Sequence, residues 1–394
     1  MQTIFKFAVF FILVFVLLLL LNFKTIQRLL RVNSLFEPEN IVTNFQDADK
    51  FFSTATIAAS SQPLTIATQL GYTFPSSFSH NGELIQTSDF ISATNTEGLI
   101  VIHRDTIIYE QYFLGLDPEE KHISWSVSKS FVGTMIGVVV EQGLLDLDDK
   151  VTDHLPEFAA TGYADVTVEQ LLRMRSGIGF DEDYSDYNSD INRFGRAFAL
   201  GTSYRKFAQS LHNEKAPGSV CHYVSIDTQM LGFLLTKVTG KTLTELTSQY
   251  LWEPMGMEHE AGWIIDDDNF EMALGGLLAS LRDYAKLGLL YLNKGQLNGN
   301  QIVSPEWIAE ASSPYGDGIS HASSNAYEYG YQWWIPPNTD GDFFANGIYD
   351  QFVYVNPKKE LVVAKLSADS RFKHDGPAIK ARHVSLFKEM AEQF

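Results

Sequence analysis

The sequence is poor in residues that bind metals or cross-link chains. Cys221 is the only cysteine among 394 residues, so no disulfide can form within the chain and no cysteine-based metal cluster can be built. His259-Glu260 lacks a second histidine at helical spacing, so the zinc-peptidase motif is also missing. We therefore expect no metal site and no cofactor.

Two further absences narrow the function. The formal net charge is −19 and no basic run occurs outside the N-terminal flank, which argues against a nucleic-acid partner because clustered Lys and Arg bind such partners. No G-x-S-x-G sequence occurs, so the nucleophile turn of α/β-hydrolases is missing. With 45% hydrophobic residues, the chain can form one large domain or two ordinary ones.

One long apolar segment opens the chain. Residues 4–23 are apolar apart from Lys6 and Asn22. About 20 such residues, each rising ~1.5 Å in a helix, span the core of a bilayer. A cleaved signal peptide is the alternative, but the run is long for one and no small-residue cleavage site follows promptly. We predict an uncleaved single-pass transmembrane helix, with anchor and flank over residues 1–31.

The rest of the chain predicts an α+β fold. Residues 32–90 have the composition of a tether and a loosely structured lead-in, and residues 98–112 predict a β-hairpin. The sequence predicts a mostly helical insert over about residues 130–262, and β pattern returns at 331–335, 352–355 and 361–366, spaced as successive antiparallel strands. We predict a domain over residues 91–394 with an antiparallel sheet flanked by helices and built from both chain ends.

Ser126-Val127-Ser128-Lys129 is the most informative motif. Positions i and i+3 share one face of a helix, so the Lys129 amine can reach the Ser126 hydroxyl. A lysine whose pKa is lowered by burial can take the serine proton and make the oxygen a nucleophile. The alternative is a helix N-cap with an outward-pointing lysine. The pattern recurs among polar or aromatic neighbours at Ser203…Lys206, Ser370…Lys373 and Ser385…Lys388.

A second proton carrier is available at Tyr223-Val224-Ser225. This pair of hydroxyls follows the turn at Ala216-Pro217-Gly218-Ser219. A phenol next to an ammonium can carry a proton to a leaving group. The alternative for any of the 17 tyrosines is a packed aromatic side chain with its hydroxyl at the surface.

Together these motifs resemble those of the serine β-lactamase and penicillin-binding-protein superfamily. Ser126-x-x-Lys129, Tyr223-x-Ser225 and Ala345-Asn346-Gly347 occur in the family's order, and the closest branch is the class C-like one with esterases and 6-aminohexanoate-dimer hydrolases. Supporting segments lie at 171–178, 275–285 and 329–334, so the resemblance covers roughly residues 95–390.

The resemblance implies a role for each matched position. Ser126 is the expected acylated nucleophile, Lys129 its base and Tyr223 the acid/base partner. The backbone N–H groups of Ser126 and Ile348 are the expected oxyanion hole, beside a Gly347 without a Cβ that would block the substrate. The expected substrate-binding residues are Ser225, Asn346, Gly347, Tyr184 and Trp333.

One departure from the family bears on the substrate. Ala345-Asn346-Gly347 stands where the family usually has Lys-Thr-Gly or His-Thr-Gly, so a cation for the substrate carboxylate is missing. Losing such a bond costs about 1.5–3 kcal/mol, which favours a small ester or linear amide over a β-lactam. No residue can be assigned from the sequence as a carboxylate base for deacylation. The alternatives are a penicillin-binding-type peptidase or β-lactamase, and a catalytically silent membrane-tethered binding protein.

Two features of the sequence point to opposite sides of the membrane for the domain. Lys24, Arg28 and Arg31 follow the apolar segment while only Lys6 precedes it, which favours a cytoplasmic domain. The family resemblance favours export. We predict a single-pass membrane protein with an extracytoplasmic, periplasmic domain, and leave the oligomeric state open.

Overall fold

The computed structural model describes residues 2–315, 327–337 and 340–394. Helices α1–α16 are, in order, Gln2–Leu21, Phe23–Ser34, Ile41–Gln46, Ala48–Phe51, Thr87–Ala93, Ser128–Glu141, Val151–His154, Val168–Leu172, Asp190–Ala199, Tyr204–Gln209, Ser225–Thr239, Leu243–Thr247, Glu253–Met255, Leu281–Leu292, Pro305–Ala311 and Phe372–Ala391. Strands β1–β16 are Thr54–Ile57, Ala67–Thr68, Ser77–His80, Glu83–Gln86, Thr96–His103, Thr106–Tyr112, His122–Ile123, Ala261–Ile264, Leu277–Ala279, Gln296–Leu297, Asn300–Gln301, Glu328–Tyr329, Trp334–Ile335, Phe343–Gly347, Gln351–Asn356 and Leu361–Ser367.

The main sheet joins the two ends of the chain. Its order is β12-β13-β14-β15-β16-β5-β6-β2, and β16 from the C-terminal part pairs antiparallel with β5 from the N-terminal part. Every pair in this sheet is antiparallel except β2 with β6 at the edge. Helices α6 to α15 lie in the chain between the two groups of strands of this sheet. The predicted α+β fold with a helical insert is confirmed.

The sheet is buried on both faces because helices cover each side. On β16, Val362 and Ala364 belong to the larger core with α14, while Leu361 and Val363 face the smaller core with α16. This alternation is the two-residue period of a strand. A Cβ on Gly288 of α14 would lie 2.5 Å from a methyl group of Val362, so only glycine allows this approach.

The late strands differ in detail from the prediction. Residues 331–333 precede β13 instead of belonging to it, and Gln332 has a left-handed φ of 65°. The strand β14 lies between β13 and β15 in the sheet, so the three predicted segments are not consecutive strands. The physical reason is that buried hydrogen bonds of the Gln332 side chain to Leu171 and Leu172 hold this segment in a loop.

The segment predicted as a loose lead-in folds against the rest of the domain. Ile41 and Phe45 of α3 are fully buried in the larger core, and β1 pairs antiparallel with β8. The preceding helix α1 contrasts with this. Its Ile4–Leu21 stretch is long and apolar enough to cross a membrane, and none of it is buried.

Replacing Phe45 tests whether this segment is part of the folded unit. Phe45→Ala removes a fully buried ring that packs edge-on against Trp125 and Tyr349, and should lower the free energy of unfolding by about 3–5 kcal/mol. Leu70→Ala is the control, because Leu70 is 62% exposed and its loss should change stability by less than about 0.5 kcal/mol. Urea denaturation measures both, and equal small effects would show that the segment does not support the core.

Candidate active site

Ser126 lies in a short turn that leads directly into a buried helix. The turn Trp125–Val127 is a single 3₁₀ turn, and α6 begins at Ser128. Trp125 has a φ of 48°, a left-handed conformation that costs of order 1–3 kcal/mol for a residue with a bulky side chain. The Ser128 hydroxyl donates to the Trp125 carbonyl at 2.5 Å and helps to hold this turn. The Ser126 hydroxyl is thereby fixed at one wall of a cavity.

Lys129 reaches the Ser126 hydroxyl from the first turn of α6. Its Nζ donates to Ser126 Oγ at 3.1 Å and also to the carbonyl oxygen of Leu274. The side chain is only 1% exposed, because nearly the whole of α6 is enclosed. Desolvation lowers the pKa of the Lys129 amine from 10.5 to about 7, against the opposing charges of Glu182 and Asp227. A substantial fraction is therefore unprotonated near neutral pH, as a general base requires.

Tyr223 completes the predicted group of three side chains. Its ring lies 5.5 Å from Lys129 Nζ, and its hydroxyl interacts with Ser126 and Ser225. Burial raises the pKa of Tyr223, while the interactions with the two serines lower it. The ring stacks on Trp334, with centroids 5.2 Å apart and planes 20° apart. An alcohol and an amine from one motif therefore meet a phenol from a distant part of the chain.

A carboxylate that the sequence analysis did not identify also lies at this point. Glu182 Oε1 accepts the backbone N–H of Ser225 at 2.6 Å, and Oε2 accepts the Tyr184 hydroxyl at 3.1 Å. Burial raises the pKa of Glu182, and the nearby Lys129 amine opposes this shift. Ser225 is the first residue of α11, so the carboxylate also meets the positive end of that helix. Glu182 is thus placed to balance a positive charge on Lys129.

The sequence shows that residues 181–187 are acidic and aromatic, but it does not show which of the acids faces inward. Asp181, Asp183 and Asp186 are exposed and bind backbone groups of their own loop. Only Glu182 turns towards Ser225, and that orientation depends on the position of α11.

A second buried carboxylate, Asp227, accepts the Tyr163 hydroxyl at 3.1 Å, and burial raises its pKa to about 8.

The predicted oxyanion hole has its two halves side by side. A Cβ on Gly347 would overlap the carbonyl oxygen of Ser124, so β14 can approach the serine turn only through a glycine. The space into which a Gly347 Cβ would point is therefore filled by Ser124, the residue just before the serine turn. Ile348 lines the cavity next to Ser126. Among the described residues, neither the Ser126 nor the Ile348 backbone N–H donates to a backbone carbonyl or a side chain.

The other predicted substrate-binding residues divide into two groups. Tyr184 and Ser225 line the cavity next to Ser126. Asn346 uses its amide to bind the carbonyls of Gly347 and Gln351, which fixes the end of β14. Trp333 was wrongly predicted as a cavity residue, because it is fully buried against Tyr291 at 4.3 Å.

Of the three other Ser-x-x-Lys patterns, the one at Ser203…Lys206 has a structural role in the described part of the chain. The Ser203 hydroxyl accepts the backbone N–H of Lys206 and caps α10, while the Lys206 side chain is exposed.

Cys221 is buried and burial raises the pKa of its thiol to about 12, so it is unreactive near neutral pH. His222 forms a 2.9 Å hydrogen bond with the carbonyl of Phe180. Within the described part of the chain, no group of three or more His, Cys, Asp or Glu residues could hold a metal.

The cavity next to Ser126 has a volume of about 320 Å³. This is within the usual size range of small-molecule sites. Its wall is mainly apolar, with Phe194, Phe198 and Met272 among the lining residues. It is therefore suited to bind a small molecule against the serine hydroxyl.

Comparison with known proteins agrees with this geometry. The Beta-lactamase family profile matches residues 91–385. The chain belongs to the Beta-lactamase family. The 6-aminohexanoate-dimer hydrolase of Paenarthrobacter ureafaciens is 29% identical over 291 residues, which cover 71% of this chain and 74% of that protein. Protein flp of Staphylococcus aureus strain N315 is 24% identical over 283 residues, and the chain spans about half of it, 54%.

Solved structures of other proteins show the same fold. A Bacillus anthracis protein assigned as a 6-aminohexanoate-dimer hydrolase superposes with a TM-score of 0.81 at 23% identity, covering 91% of this chain and 95% of that one. EstCE1, described as a hydrolase with promiscuous acyltransferase activity, gives a TM-score of 0.62 at 15% identity, covering 76% and 96%. The predicted family is confirmed, and this Beta-lactamase family member is a serine hydrolase of the esterase and amidase group.

The pKa of Lys129 predicts how reactivity depends on pH. Because burial lowers this pKa to about 7, the amine is unprotonated above that pH, and the labelling rate of Ser126 by a fluorophosphonate should rise through about pH 7 and then level off. Glu182→Gln removes a charge that raises the pKa of Lys129, so the midpoint should move to lower pH.

Asp183→Asn is the matched control, since Asp183 is exposed in the same loop and should leave the midpoint unchanged. The measurement is the labelling rate from about pH 5 to about pH 9. A rate independent of pH in this range, or an unchanged midpoint in Glu182→Gln, would contradict the assignment of Lys129 as the titrating base.

Proposed function

We propose that this protein is a membrane-anchored serine hydrolase that cleaves an ester or a linear amide through an acyl-enzyme on Ser126. The observation that carries the proposal is the 3.1 Å hydrogen bond between Lys129 and Ser126, made by a buried amine whose pKa is lowered to about 7. A lysine pointing to solvent, which was the alternative for this motif, would keep a pKa near its ordinary value.

In the acylation step, the Ser126 oxygen attacks the substrate carbonyl and its proton moves to Lys129. The backbone N–H groups of Ser126 and Ile348 receive the negative charge that develops on the carbonyl oxygen. The bond to the leaving group then breaks, and the Tyr223 hydroxyl passes a proton from Lys129 to the departing oxygen or nitrogen. Glu182 stabilises the protonated amine between these transfers.

Deacylation repeats these steps with water in place of the leaving group. Lys129, neutral again after the leaving group has departed, takes a proton from water through the Tyr223 hydroxyl. The water oxygen forms the bond to the acyl carbon while the bond to Ser126 Oγ breaks. The serine oxygen recovers its proton, so the enzyme returns to its starting state and the product is an acid.

The composition of β14 favours an ester or linear amide over a β-lactam. Its residues Phe343–Gly347 include no cation, and Asn346 is engaged with the carbonyl groups of Gly347 and Gln351. The strand therefore offers no charged partner for the carboxylate of a penicillin. The relative named as a 6-aminohexanoate-dimer hydrolase supports this choice of substrate class.

The membrane anchor is proposed from the contrast between α1 and α2. The apolar stretch Ile4–Leu21 is unburied, whereas α2 is tied to the domain by the 2.7 Å ion pair between Arg28 and Asp267. Because α2 follows the apolar stretch directly and contacts the domain, the two are joined in one folded chain. This supports retention of the apolar stretch in the mature protein. We propose that α1 holds the hydrolase domain at the membrane surface, on the extracytoplasmic side.

Removing the nucleophile gives the first test of the reaction. Ser126→Ala should abolish labelling by a fluorophosphonate because the reagent bonds to the serine oxygen. Lys129→Ala should slow labelling by about 10²–10⁴-fold, the usual contribution of a general base. Lys206→Ala is the matched control from the second motif and should leave the rate unchanged. Mass spectrometry of the labelled peptide locates the bond, and labelling that persists in Ser126→Ala would remove Ser126 as the nucleophile.

The role of Tyr223 can be separated by choice of leaving group. Amine departure needs a proton, whereas p-nitrophenolate leaves without one, so Tyr223→Phe should reduce amide hydrolysis by about 10²–10⁴-fold and p-nitrophenyl ester acylation much less. Tyr250→Phe is the control, since its hydroxyl contacts Gln142 on the outer surface. Pre-steady-state acylation rates on both substrates measure the difference. Equal losses on amide and ester would contradict a role in protonating the leaving group.

A further inference from the structure

The cavity next to Ser126 includes an apolar part that the reaction steps do not use. We call it the apolar chamber, and its wall is formed by Leu35, Phe36, Ile191, Phe194, Phe198 and Met272. Apart from Phe36, these side chains are 9% exposed or less in the whole protein. Their shared property is that they offer no hydrogen bond to a ligand. Polar side chains, among them Asn33, Asn192, Arg196 and Lys373, line other parts of the same cavity, so the six apolar residues form the part that fits a hydrocarbon group.

The helix α9 supplies half of this wall because its apolar residues share one face. Ile191, Phe194 and Phe198 recur at intervals of three and four residues, and the two phenylalanine rings pack with Tyr204 at 5.5 Å. The opposite side carries Arg193, which pairs with Asp190 at the surface. The chamber is thus a fixed part of the fold, held by helix packing.

Most of the remaining wall comes from the segment after the apolar helix α1. Val32 and Asn33 of α2 line the cavity together with Leu35 and Phe36, and Phe36 stacks on Tyr349 with centroids 4.9 Å apart. The 12 residues of α2 span about 18 Å at ~1.5 Å each. If α1 crosses a membrane, the chamber wall therefore begins within about 18 Å of where the chain leaves the bilayer.

We propose that the apolar chamber binds the acyl chain of a membrane-resident amphiphile, a fatty-acyl ester or amide. The proposal rests on the function proposed above, because it names the acyl group that Ser126 would accept. The acyl carbon bonds to Ser126 Oγ, the bond to the alcohol or amine breaks, and the released group carries away one proton. Such substrates partition into bilayers, where α1 would hold the enzyme.

A single glycine allows the chamber to be filled without disturbing the fold. Gly195 lies inside α9 and lines the cavity, and a Cβ built on it meets no atom within 4 Å. Leucine favours a helix more than glycine does, so Gly195→Leu should fold and place its side chain in the open space. It should exclude part of a long acyl chain while leaving room for a short one.

The test uses the full-length protein in detergent micelles with p-nitrophenyl esters from acetate to decanoate. Ser126 is first titrated with a fluorophosphonate to count active enzyme. In the wild type, kcat/KM should rise about fourfold for each added methylene until the chamber is full. In Gly195→Leu the ratio of decanoate to acetate should fall by about 15-fold or more, the equivalent of at least two methylenes.

Arg193→Leu is the matched control, since it adds the same side chain to the exposed face of the same helix and should keep the wild-type ratio. A titratable Ser126 with a flat chain-length profile, or with the same ratio in Gly195→Leu, would overturn the acyl-chain proposal alone. A wild type that the fluorophosphonate does not label would overturn the proposed function and this inference with it.

Discussion

The enclosure of Lys129 is the constraint on which the site depends. A hydrated lysine would stay protonated near neutral pH and could not accept a proton from serine. The helix α6 is buried along almost its whole length, and its glycines allow this: at Gly137 a Cβ would lie 2.5 Å from the Trp307 ring. The apolar, small-residue character of α6 is therefore part of the chemistry, because close packing removes the water that would otherwise keep the amine charged.

The segment before the family-matched region supports the other half of the site. Phe36 and Phe45 pack against both Trp125 and Tyr349. Trp125 precedes the serine and Tyr349 follows Ile348, and both have left-handed backbone angles, 48° and 60°. Packing of four rings holds these costly conformations in place, which keeps the two N–H groups of the proposed oxyanion hole next to each other. The N-terminal segment thus connects a proposed membrane anchor to the reacting atoms.

The sequence predicted the centre of the site better than its surroundings. Ser126, Lys129 and Tyr223 were identified because each carries reactive chemistry in a recognisable spacing, and the structure brings the three together. Glu182 was missed because several acids share its loop and their spacing does not distinguish them. Trp333 was chosen over Trp334, although it is Trp334 that stacks on Tyr223. Here the loop around Gln332 changes the alternation that a regular strand would give.

The sequence by itself determined the family, the α+β class, the order of the motifs and which side chains are proposed to react. These depend on local spacing and on residue chemistry, which distant contacts do not alter. Only the tertiary structure decided that residues 35–57 belong to the core, that Glu182 faces Lys129, and that Gly347 makes room for a carbonyl of the serine turn. Each of these is a contact between segments far apart in the chain, and its geometry is set by packing that no local pattern records.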